Sequence, residues 1–306
     1  MRTETAVLRG VSFVALLCVV ASCSDSNGPD GGPSFTDSIV FVSDRTGAQQ
    51  LFTMKSDGSN VKQLTTVVGN KDTPAFSPDG RHIAFAMSDT GSGGAPTFIY
   101  TINADGTGLV QLTSGLQQDL MPSWSPDGSQ IAFASSRALN VYSFGVYVMN
   151  ADGSGVHPIL ADSGLDVSPS WSPSANEILF ERDLGGGVYR MTSSGDSITF
   201  LVNGSKPQWS PTGTQFLFDC GPDVCISRTR DATVVDTIGH DVNFVFGYVS
   251  TPKWSPDESR FVYATSNAGF GAPASIWSAS TTDGSGIVQL TPDTDGRNWS
   301  PDWSRH

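Results

Sequence analysis

A chain of 306 residues, 38% hydrophobic but only 15% charged and carrying 33 glycines and 18 prolines, has room for one large or two ordinary domains and too many turn formers for a helical protein. Its 30 acidic residues against 17 basic ones leave a net charge of −13, which repels phosphate backbones and sets nucleic acid aside as a partner. Cys18, Cys23, Cys220 and Cys225 are too few for a disulfide framework and lack the paired Cys-x-x-Cys spacing of structural zinc.

The first residues read as an address. Arg2 and Arg9 precede an apolar run from Val11 to Val20, which has the length of a signal-peptide core and is too short to span a bilayer. Residues 1–22 are therefore expected to be an export signal. The signal ends in Val20-Ala21-Ser22-Cys23, which resembles the bacterial lipobox, and the resemblance implies that Cys23 is lipidated and becomes the mature N-terminus. Ser24 after that cysteine resembles the pattern of lipoproteins sorted to the outer membrane and facing the periplasm. Residues 23–37, rich in Gly, Pro, Ser and Asp, cannot bury apolar area and read as a flexible tether. The folded domain is expected over residues 38–306.

That domain repeats itself. Pro-x-Trp-Ser-Pro, with Phe76 for Trp in its first copy and a sixth copy cut short, places aromatic residues at 76, 124, 171, 209, 254 and 303. The intervals of 48, 47, 38, 45 and 49 residues lie near the ~40–45 of four-stranded propeller blades. Each repeat carries the same order of elements. In one of them a strand through Trp124 turns at Ser125-Pro126-Asp127-Gly128 into the apolar run Ile131 to Ser135. A third strand from Val146 to Asn150 then turns at Ala151-Asp152-Gly153 into a fourth ending near Leu160. Proline fixes φ and glycine tolerates positive φ, so both tetrapeptides reverse the chain for mechanical reasons. Asp57, Asp79, Asp105, Asp127, Asp152 and Asp283 are read as bonding their own backbone in these turns, rather than as calcium ligands. Ile39 to Ser43 is a second strand without a first, and Trp303 lies in a first strand with nothing after it. Joining them predicts an all-β fold, a six-bladed β-propeller closed by pairing of the N- and C-terminal strands.

Together with Ser43-Asp44-Arg45 after a second strand, and with Gln63-Leu64-Thr65, Gln111-Leu112-Thr113 and Gln289-Leu290-Thr291 after Asp-Gly turns, this pattern resembles the WD-like repeats of TolB-type propellers. The resemblance covers residues 38 to 306 and implies a binding or scaffold module at the cell envelope, with protein or peptidoglycan-associated partners.

Signatures of catalysis are scarce. There is no Gly-x-Ser-x-Gly nucleophile elbow, and His82, His157, His240 and His306 fall in different repeats without metal-ligand spacing. Cys220 and Cys225 flank a short hairpin turn and are expected to form a disulfide in an oxidising compartment. The long loops between second and third strands and between blades carry Tyr142, Phe144, Phe244, Phe246, Tyr248, Phe270 and Trp299. These are candidates for a binding face that anchors a partner or stacks on sugars, the alternative being that they cap the blade core. Asp72, Asp119, Asp166 and Asn298, just before the Trp strands, are candidates for the channel mouth. There they would meet a basic peptide or hold a cation; calcium is the one cofactor this suggests, and the alternative is isolated surface carboxylates. The contrasting functional reading is a glycan-acting lyase or hydrolase with its site in the channel.

Overall fold

The computed structural model describes residues 35–305 apart from 89–94, 138–142, 163, 185, 222, 230, 232–233, 239–249 and 266–273. These residues form six four-stranded antiparallel sheets. Blade 1 joins Asn298–Trp303 to Ser38–Ser43, Gln50–Lys55 and Lys62–Gln63. Blades 2 to 6 follow in chain order, with inner strands Lys71–Phe76, Asp119–Trp124, Asp166–Trp171, Ser205–Trp209 and Ser250–Trp254.

Second strands are continuously apolar through their centres because each is covered on both faces by a neighbouring blade, which removes the need for alternation. Ile39, Val40, Phe41 and Val42 have no exposed surface at all. The hydrophobic clusters accordingly form between blades: Phe41 and Met54 of blade 1 pack with Val262 and Ile276 of blade 6, and Val40 and Leu51 pack with Phe85 and Tyr100 of blade 2. The ring closes as its complementary ends predict. Ile39 pairs with Trp303 and Ser43 with Asn298, and the Ser38 amide donates to Ser304 Oγ at 2.9 Å across 266 residues of chain.

The two faces of the ring differ in their bonding. On one, each turn after an inner strand is tied to the turn after the third strand of the same blade, as in Ala104 N–H to the Arg81 carbonyl and Ala151 N–H to that of Ser129. The Asx bonds expected of the turn aspartates are present there, for instance Ser129 N–H to Asp127 and Ser154 N–H to Asp152. Phe35 also docks on this face, its N–H donating to the Gly80 carbonyl. Asp37 accepts from Ser56, so the last residues of the segment read as tether are fastened to the ring. On the other face the second strands are tied to the connections between blades, as in Ser136 N–H to Gln118 and Asp183 N–H to Leu165.

The Gln-Leu-Thr tripeptides have a defined job at the outer strands. Thr65, Thr113 and Thr291 hydroxyls accept from the amides of Leu51, Ile99 and Ile276 on the adjoining third strands. The leucine carbonyls receive the next blade: a Cβ on Gly106 would stand 3.0 Å from the Leu64 oxygen, and one on Gly58 would stand 2.6 Å from that of Leu290. Asp-Gly turn and Gln-Leu-Thr strand are thus two halves of one interblade contact.

Candidate functional site: the central channel

Every inner strand bends at the same place. The residue before its proline is left-handed in five blades, with φ of 47° at Thr73, 55° at Met121, 53° at Ser168, 50° at Lys206 and 47° at Ser300. The strand pairing is interrupted by a bulge at that point in each of these blades. A left-handed β-branched residue such as Thr73 is uncommon, and a bulge re-aims side chains, so this is the device that turns residues toward the axis. The bulged residues and their prolines line one narrow section of the channel.

A second section opens on the Asp-Gly face and is walled by Trp124, Trp209, Trp254 and Trp303. Its polar side chains are the variable residues of Pro-x-Trp. Ala75 and Ser123 leave one side small, whereas Gln208, Lys253 and Asp302 reach in from blades 5, 6 and 1. Gln208 and Lys253 line both sections. Lys253 Nζ donates to Gln208 Oε1 at 2.7 Å and stands 3.6 Å from Asp302 Oδ1, while the Phe76 amide donates to Asp302 Oδ2 at 2.7 Å. Desolvation lowers the pKa of Lys253, partly offset by Asp302.

Two acids that contact bulged residues of the inner strands have raised pKa values. Asp72 stays accessible to water, but surrounding protein desolvates its carboxyl and raises its pKa, against which the Ser300 hydroxyl, donating at 2.7 Å, works. Asp219 is buried and pushed up to about 6 by desolvation, tempered by Lys206 Nζ at 3.0 Å.

The other three channel-mouth candidates lie elsewhere, which corrects the expectation. Asp119, Asp166 and Asn298 have no exposed surface and sit one position earlier in the repeat than Asp72, and in a strand one position changes the face. Each is paired within its own blade. Arg137 Nη2 reaches Asp119 Oδ2 at 2.7 Å, Arg182 holds Asp166 through Nε and Nη2, and Arg45 Nη2 donates to Asn298 Oδ1 at 2.8 Å. The guanidiniums lie over aromatic pairs, Phe133 with Tyr147, Phe180 with Tyr189 and Phe41 with Phe52. These are structural clamps, and the Arg of Ser43-Asp44-Arg45 is one of them. In blade 2 the buried Lys71 takes the position of the acid, donating to the Val67 and Gly69 carbonyls, and burial lowers its pKa to about 8. Among the described residues no group of three or more His, Cys, Asp and Glu side chains could hold a metal ion.

Of the aromatic candidates, Tyr142, Phe244, Phe246, Tyr248 and Phe270 lie outside the described residues. Phe144 is half-buried, bridging to Leu165 beside the connection between blades 3 and 4. Trp299 is not a loop residue. It belongs to the inner strand of blade 1, half-buried against two core clusters with Arg297 over its ring, because the strand begins one residue before it. Cys220 and Cys225 are disulfide-bonded at the turn between second and third strands of blade 5. Gln208, Lys253 and Asp302 add to the sequence expectations, their signal being the x of each Pro-x-Trp, and so does Arg305, which stands where the other copies carry their second proline.

A closed ring of six four-stranded sheets around a polar channel is a six-bladed β-propeller. Residues 63–145 match the family described as the TolB beta propeller domain. The TolB homologue of Chlorobium chlorochromatii is 43% identical over 51 residues, 17% of this chain and 12% of that protein. The Tol-Pal system protein TolB of Geobacter metallireducens is 42% identical over 65 residues, 21% of this chain and 14% of that protein. The chain therefore matches only a small part of the length of these relatives. TolB of Acinetobacter baumannii superimposes with a TM-score of 0.71 at 23% identity, over 89% of this chain and 68% of that one. The chain folds as a TolB-type propeller.

Proposed function

We propose that this chain is a lipid-anchored propeller of the cell envelope that binds protein or peptidoglycan-associated partners, with export by residues 1–22, anchoring through Cys23 and a tether up to residue 37. The observation that carries the reading is the face of blade connections. Leu116 is 91% exposed, Val68 81% and Leu184 68%, all on that face, in a chain of net charge −13. Val68 and Leu116 occupy the same position of successive repeats, three residues before an inner strand. Apolar tips on a rigid ring suit a partner's apolar pocket, where a few anchors dominate binding.

The anchor and this face would point in opposite directions. Phe35 enters on the Asp-Gly face, and the 12 residues from Cys23 span at most about 40 Å when extended. The loop face would then look away from the membrane that holds the lipid, available to partners there. The TolB proteins it resembles support an envelope role.

The test is crosslinking capture from native envelopes with wild type and a Val68→Ser, Leu116→Ser, Leu184→Ser variant. The expected result is a discrete partner captured by wild type and lost from the variant, with both melting alike. Equal capture by both would sink the loop-face reading, and membrane sedimentation of Cys23→Ser after a salt wash would sink the anchor.

A further inference from the structure

The mouth of the channel on the Asp-Gly face holds more positive than negative charge, in a chain whose net charge is −13. Lys253 stands one residue before Trp254, the end of the inner strand of blade 6, and Arg305 follows the inner strand of blade 1, so ring closure brings the two cations to one mouth. Asp302 is the one carboxylate among the residues described as lining this space. One of its oxygens is committed to the Phe76 amide, and the other faces Lys253 at 3.6 Å. Arg305 is exposed to the mouth, and among the described residues its guanidinium has no hydrogen-bond or ion-pair partner, only the more distant attraction of Asp302. Five donors of fixed geometry therefore open into a space walled by indoles and prolines.

We propose that this mouth is a binding site for a carboxylate group, held by Arg305 in fork geometry and by Lys253 as a second charge. A guanidinium matches a carboxylate through two parallel N–H bonds, and an ammonium adds a point charge. Trp209, Trp254, Trp303 and Pro256 flank the two cations, and the surface left accessible between them is mostly polar, which suits a charged group. Desolvation lowers the pKa of Lys253, a cost that a bound anion would relieve. The chain's overall negative field disfavours polyanions and leaves a singly charged ligand as the fitting occupant. The free space at the mouth is about 50 Å³, room for a carboxylate group, while the terminal amino acid or acidic sugar that carries it stays at the open rim. This site lies on the face opposite the exposed apolar tips and stands independently of the partner reading above.

The experiment is a titration of the full chain, followed by tryptophan fluorescence and calorimetry, with N-acetyl-alanyl-alanine, its methylamide, and glucuronate. Saturable binding of either carboxylate is expected, with the methylamide weaker by at least ~10-fold, the cost of losing one charge-assisted contact. Arg305→Gln should weaken binding by a similar factor and melt as wild type does, since it breaks no hydrogen bond or ion pair among the described residues, and Lys253→Met should weaken it as well. A preference for the peptide acid identifies a chain terminus, and a preference for glucuronate an acidic sugar. No saturable response to either carboxylate, equal response to the methylamide, or undiminished binding by Arg305→Gln would overturn the proposal. Loss of partner capture by the loop-face variant, with carboxylate binding intact, would show that the two sites are separate.

Discussion

Gly153 lies against the carbonyl of Leu112 in the preceding blade, so closely that a Cβ on it would stand 2.8 Å from that oxygen. Its φ is +85°, which strains any L side chain regardless of space. Gly153→Ala should therefore cost about 1–3 kcal/mol from strain and from prising two blades apart. Chemical denaturation followed by tryptophan fluorescence measures this. Gly47, with open space around the same added atom, is the control and should lose less.

Removing a clamp should cost more than removing a channel acid. Arg137→Ala leaves Asp119 buried and without its cation, at a cost of about 3 kcal/mol. Asp72→Asn keeps the shape of a side chain whose charge is already disfavoured by its surroundings, and its melting temperature should hold or rise. The reverse order in a thermal melt would mean that clamp and channel residues have been exchanged.

Asp219 should leave a signature in the pH dependence. Its folded pKa of about 6 lies above the unfolded value, so the folded state binds more protons between those two values. Its contribution to stability is therefore present below the unfolded pKa and is lost as pH rises toward and through about 6. The shift corresponds to about 3 kcal/mol, an order-of-magnitude figure for a side chain that also faces Lys206 and Glu181. Urea denaturation of Asp219→Asn should show the variant gaining on wild type as pH rises from ~4 to ~7. A difference that stays flat with pH would mean that the carboxyl is not desolvated as its burial implies.

Deleting residues 301–306 should open the ring. Trp303 and Asp302 pair with Ile39 and Val40, and without them the second strand of blade 1 presents an unpaired edge. Loss of monomeric behaviour in size-exclusion chromatography and a lower, broader melt are expected. A truncated chain that stays monomeric with unchanged melting would contradict closure by this strand.

The fold was readable because each blade is a local unit repeated with its own turn chemistry, and because the incomplete ends were complementary. The site was less so, for a reason visible in Asp72 and Asp119. Both are carboxylates a few residues before a repeated aromatic, yet Asp72 is four residues before Phe76 and Asp119 five before Trp124. That offset, together with the bulge, separates a channel wall from a buried clamp. The Arg-over-aromatic pairs also join residues from three strands, which no single repeat displays in sequence. Lys253 and Arg305 show the opposite failure. Lys253 is the variable letter of Pro-x-Trp and Arg305 replaces the second proline of the last copy, so both lie where the repeat itself carries no pattern.

The bond between Ser38 and Ser304 spans 266 residues, nearly the whole folded length. The first strand made during synthesis must wait for the last before its edge is covered, and the entropy of closing so long a loop is met at one step. Interior blades can assemble as they emerge, since their strands are neighbours in the chain, whereas blade 1 is completed only when both ends are present. Assembly of this ring should thus end on a slow, all-or-none locking event, and until then Ser38–Ser43 is the strand most in need of a chaperone.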